Sequence, residues 1–116
     1  MCNPGHEPIM EAVQNMWKEN LGVNSTISSQ DWNVFLETRK QGDFQVARDG
    51  WLGDYNDPIS FIDMWITGGG NNNAQWSNKE YDKLVSEIKA TTDSKERYAK
   101  MHEAEDILAK DMPIIP

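Results

Sequence analysis

The chain has 116 residues, room for one domain of ordinary size, and 38% of them are hydrophobic, enough for a packed core and too many for a disordered segment. Its 19 acidic against 11 basic residues leave a formal charge of −8 with no basic stripe, which argues against a nucleic-acid partner. The apolar runs are only a few residues long, far short of the roughly 20 needed to span a bilayer.

The lone cysteine, Cys2, cannot form an intrachain disulfide and reads as an accident of where the chain starts. No signal peptide precedes the first helix, which is equally expected of a trimmed chain. "PIMEAVQNMWKENLG" places Ile9, Val13, Met16, Trp17 and Leu21 on one stripe between Pro8 and Gly22, which predicts an amphipathic helix. "VNSTIS" alternates Val23, Ser25 and Ile27 with polar neighbours and predicts a short strand. A second helix follows, with Ser29 as cap, Trp32, Phe35 and Leu36 as its apolar face and Gly42 as its stop. Phe44 to Gly50 reads as a second strand. Strand, helix, strand with short links is a βαβ unit, which predicts parallel strands in one sheet.

"WLGDYNDP", residues 51–58, connects that strand to a short helix carrying Phe61, Ile62, Trp65 and Ile66. Asp57 before Pro58 suits a helix start, with Asp as cap and Pro at the first helical position. Asp54 has no such structural reason to be a carboxylate, and a loop between rigid elements is where binding groups concentrate. "GGGNNN" at 68–73 is a loop by composition. Ser77 with Glu80, and Asp93 with Glu96, form capping boxes ahead of two further helices. The first carries Tyr81, Leu84, Val85 and Ile88, the second Tyr98, Met101, Ile107 and Leu108. "DMPIIP" predicts the start of a third strand. Two or three short strands under five helices would leave open sheet edges, so a piece of something larger is expected, able to self-associate through those edges.

The blocks "MWKENLGV", "DWNVFLETRKQGDF", "ARDGWLGDYNDPISFID", the run from Asn72 through "WSNKEYDKL", and "AEDILAKDMPIIP" resemble, in that order, the substrate-binding proteins of bacterial oligopeptide and dipeptide ABC importers. The resemblance covers essentially the whole chain from about Pro4 onward. It implies an α/β fold: a fragment of a periplasmic-binding-protein-like lobe, with a βαβ core and additional C-terminal helices, residues 1–116 forming a single piece of one lobe of a two-lobed clamp. It further implies a non-enzymatic role, capture of extended peptides and their delivery to membrane permease subunits. The location implied is extracytoplasmic, with a lipid anchor on the full-length protein.

The resemblance assigns Asp54 to the ligand's free α-amino group. An ammonium needs a fixed acceptor, and a charge-assisted bond is roughly twice as strong as a neutral one. By the same resemblance Trp51 and Tyr55 line the cleft, and the backbone at Leu52 bonds the peptide as an added strand would. Core packing explains Trp51 equally well. Arg48 and Arg39 match positions near the carboxylate end of short peptides in some members, although solvated basic residues are the commoner reading.

Other readings fare worse. No cofactor or metal is expected: His6 and His102 read as surface residues, and "HEAED" at 102–106 lacks a second His at zinc-protease spacing. A calcium loop starting at Asp54 would need glycine at Ile59 and glutamate at Trp65. A hydrolase built on Asp49, Asp54 and Asp57 lacks an accompanying nucleophile or base. A helical protein-interaction module would draw on the Trp and Met content. Within the family, nickel complexes, haem or sugars stand as alternative ligands. Asn24 in "NST" matches a glycosylation acceptor, without consequence for a bacterial protein.

Overall fold

Glycines stop the first two helices in the same way. The computed structural model describes residues 1–116, and in it the helix α1 (Glu7–Leu21) ends at Gly22, whose φ of 67° is left-handed. The Gly22 amide bonds Lys18 O and the Val23 amide bonds Trp17 O, the paired closure typical of a glycine-capped helix. The helix α2 (Trp32–Gln41) repeats it at Gly42, φ 74°, with Asp43 N bonding Thr38 O. The expected Ser29 cap is not used. Ser29 is paired with Cys2, and α2 starts after Asp31 with no side-chain cap.

The chain falls into two compact units, Met1–Gly50 and Trp51–Pro116. In the first, Cys2 and Phe35 are fully buried. Trp32 stacks on Phe35 with ring centres 5.7 Å apart. Cys2 is no passenger, since it forms the middle of a rudimentary ladder. Its N–H bonds Ser28 O, and its carbonyl accepts from Gln30 N, both at 3.0 Å. On the other side the Met1 amino group bonds Val46 O at 2.7 Å, and Arg48 N bonds Met1 O at 3.0 Å.

The two predicted strands therefore flank Met1–Cys2, but neither forms, and the βαβ core is absent. A ladder needs a run of partner residues, and the segment between them ends at Pro4, which lacks an N–H and opens a 3₁₀ turn, Pro4–His6. The apolar stripe of α1 is correspondingly uncovered: Val13 and Trp17 are half-buried, while Ile9, Met16 and Leu21 are 58%, 59% and 69% exposed. Between α1 and the extended segments lies a cleft of about 550 Å³ lined by Val13, Trp17, Val23, Ile27, Phe44 and Val46 among others.

The second unit has the larger core. The short helix α3 (Ile59–Ile62) runs into a 3₁₀ turn (Asp63–Trp65), and α4 (Lys79–Ala90) and α5 (Ser94–Asp111) form a hairpin beneath them. The hairpin is antiparallel. Asp111 at the end of α5 accepts from Trp76 and Asn78 at the start of α4, and Glu87 near the end of α4 meets Lys100. Ile59, Ile62, Met64, Trp65, Tyr81, Val85, Ile88, Met101, Ala104 and Leu108 close the core between them. Tyr98, expected on the apolar face, is instead half-exposed, as is Phe61.

Local caps also differ in detail from the sequence expectation. Asn78, not Ser77, caps α4, accepting from Glu80 N and Tyr81 N, while the Ser77 hydroxyl pairs with Thr67. Asp93 caps α5 through Glu96 N as expected. The single helix predicted over 58–66 breaks in two. Ile62 O, which would accept from residue 66 in a longer helix, accepts from the buried Tyr81 hydroxyl. "DMPIIP" forms no strand: α5 runs to Asp111, Met112 turns left-handed at φ 49°, and Ile114 packs half-buried on the core. No helix is long and apolar enough to cross a membrane.

Candidate ligand-binding loop

The six residues expected at a site divide between the two units. In the first, Arg39 is engaged within the chain: its guanidinium meets Asp49 at 2.6 Å and lies 5.3 Å from the centre of the Phe35 ring. That pairing needs a planar cation over an aromatic face, a task for which Lys is a poor substitute. Arg48 folds its guanidinium back over Gly50, where an added Cβ would lie 3.1 to 3.3 Å from it. The backbone N–H of Arg48 is committed to Met1.

The other four residues open the second unit. Trp51 is half-buried against the core, with an indole N–H that is buried and has no acceptor. Leu52 is 90% exposed and Tyr55 is 56% exposed. Gly53 lies against the Phe61 ring, where a Cβ would come within 3.2 Å. Asp54 is exposed, and its carboxylate takes no hydrogen bond or ion pair from the chain.

What the chain does hold is the backbone around Asp54. Its N–H donates to the hydroxyl of Ser60, a residue 3% exposed on α3, at 2.9 Å. The Asp57 N–H bonds Tyr55 O at 2.9 Å, closing a tight turn. Asp57 performs the expected cap, accepting from Ile59 N at 2.9 Å. The same carboxylate also takes both terminal nitrogens of Arg97 from α5, at 2.7 and 3.0 Å. The Arg97 bond, then the Ile59 amide, hold the Asp57 carboxyl below the ordinary carboxylate range, and the bond to Asp57 raises Arg97 in turn. Asp57 is thus ionised at neutral pH and committed to structure, leaving Asp54 as the loop's unengaged anion.

Two contributors carry no sequence signal of their own. Arg97 lies 40 residues from Asp57, and nothing local marks the pairing. Asn72, inside the glycine and asparagine loop, is 6% exposed and ties that loop together, donating to Trp65 O, Ile66 O and Trp76 O.

The sequence profile of the bacterial extracellular solute-binding proteins, family 5 (middle), matches residues 2–73, and the chain belongs to this family. The chain is 44% identical, over 97% of its length, to the dipeptide-binding protein DppE of Bacillus subtilis (strain 168). It is 40% identical, over 96% of its length, to the periplasmic oligopeptide-binding protein OppA of Salmonella typhimurium. These matches cover 21% and 20% of the two relatives, so the chain spans about a fifth of their length. Among solved structures, Haemophilus influenzae OppA in complex with RPPGFSPFR superposes with a TM-score of 0.94 at 34% identity, over 99% of this chain and 23% of that one. The chain therefore has the fold of a segment of the family's peptide-binding proteins, without the strands of a βαβ core.

Proposed function

We propose that these 116 residues work as part of the substrate-binding component of an ABC-type peptide importer, outside the cytoplasm, capturing extended peptides and delivering them to membrane permease subunits. In the full-length protein, a lipid anchor would hold this component at the membrane. The observation that carries the reading is Asp54: an exposed carboxylate, bonded to nothing in the chain, on a loop whose backbone is pinned on both sides. A fixed anion of this kind suits the α-ammonium of a peptide. Exposed Leu52 and Tyr55 flank it and are available for the peptide backbone and side chains. Trp51 supports the loop from below, against the core. Arg48 and Arg39 would serve the ligand's carboxylate end in the same clamp, Arg39 while also held by its pair with Asp49.

The test is a set of four calorimetric titrations of the full-length protein: wild type and Asp54→Ala, each with a free and an N-acetylated peptide. Loss of the contact in a closed cleft should lower affinity by roughly two to four powers of ten. Acetylation should cost the wild type a comparable amount and add little to the variant, because both changes remove one contact. Independent, additive losses would show that Asp54 does not read the amino terminus.

A further inference from the structure

The loop that carries Asp54 has local and distant supports, and they do different things. Ser60 and the Asp57 cap tie it to α3, a helix only four residues long that starts directly after the loop. Such ties fix the loop to α3, whose Ile59 and Ile62 pack in the core, but add no side-chain bond of their own to α5. The one side-chain bond from a distant element is Arg97, two-pronged on Asp57. α5 is 18 residues long, starts from a side-chain cap at Asp93 and is packed along α4, so it is the rigid reference of this unit.

We infer that Arg97 is a positioning residue for ligand recognition: its bidentate grip on Asp57 sets where the Asp54 carboxylate stands. The inference rests on the proposed role of Asp54. A guanidinium is suited to the task because its planar fork fixes both distance and orientation of the carboxylate, which a lysine ammonium does not. Both side chains are partly shielded, at 22% and 28% exposed. Asp54 itself needs no side-chain tether, since only Tyr55 and Asn56 separate it from Asp57 and the Asp57 N–H to Tyr55 O bond closes a turn in that stretch.

The experiment uses the full-length protein with Arg97→Gln, Arg97→Lys and Asp54→Asn, alone and with Asp54→Asn combined with each Arg97 variant, titrated with one peptide in free and N-acetylated forms. Misplacing a charged contact by a fraction of an ångström should cost Arg97→Gln about tenfold in affinity for the free amine, and less than about twofold for the acetylated peptide. Arg97→Lys, which keeps the charge but not the fork, should fall between and carries the test if the glutamine variant does not fold. On the Asp54→Asn background neither Arg97 change should matter. Equal losses for both peptides, or none for either, overturn the inference and leave the Asp54 reading standing. A preference for the free amine that survives Asp54→Asn overturns that reading, and this inference with it.

Discussion

Replacing Tyr81 with phenylalanine isolates a single bond that shapes the start of the second unit. The side chain is fully buried, its hydroxyl donates to Ile62 O, and its ring meets Trp76 edge-on at 4.9 Å. Phenylalanine keeps the ring contact and removes only the hydroxyl. A neutral hydrogen bond contributes about 1 kcal/mol net, and an orphaned buried carbonyl raises the cost of losing it to about 1–3 kcal/mol. Ile62 O also caps the start of the 3₁₀ turn Asp63–Trp65 and keeps that turn's bond when the hydroxyl goes, so the cost falls at the lower end of this range. We therefore expect about 1 kcal/mol, read as a lower urea midpoint at unchanged slope by tryptophan fluorescence. Tyr81→Leu also loses the edge contact and ring volume, and should cost about 3–5 kcal/mol. A second arm uses pH. Burial pushes the Tyr81 phenol well above its ordinary value of 10.0, so the folded state holds its proton after the unfolded chain has released its own. The stabilisation is fully present below that value and is lost as pH rises past it, in wild type but not in Tyr81→Phe. A phenylalanine variant within about 0.5 kcal/mol of wild type, with the same alkaline limb, would refute the role given to this hydroxyl.

Three further outcomes follow from the same geometry. Because the Asp57 and Glu87 carboxyls are held low by Arg97 and Lys100, their stabilisation is present above the ordinary carboxylate range and lost as pH falls through it; Asp57→Asn should flatten the acid limb of a melting-temperature profile, and an unchanged limb would count against the pair. Asn72→Ala should cost about 1–3 kcal/mol by removing the donor to Trp65 O and Trp76 O, while Ile66 O keeps the Gly69 N–H, and Asn72→Asp more, since it sets a carboxylate among the carbonyls; equal stability of the aspartate variant would contradict the bonding described. The bare apolar residues of α1 and the half-bonded extended segments should make the 116-residue chain associate as its concentration rises. Sedimentation velocity showing a strict monomer over a wide range would refute that.

The sequence by itself determined where the long helices lie and several of their ends, because those signals are local. Apolar spacing, the glycines at 22 and 42 and the aspartate at 93 each act within a turn or two of where they stand. It also determined family membership and singled out Asp54, a loop carboxylate with no capping duty. Tertiary structure alone decided the rest. Whether 23–28 and 44–50 become strands depends on what backbone lies beside them, and within these 116 residues the pairing is with Met1–Cys2, too short a run for the alternation of Val23, Ser25 and Ile27 to build a ladder. The choice of Asn78 over Ser77 was settled when Ser77 met Thr67, and the break after Ile62 when its carbonyl met Tyr81. Asp57 shows both levels in one side chain. Its cap on Ile59 is two residues away and legible in "DP"; its clamp on Arg97 is 40 residues away, a distance in sequence that only folding closes.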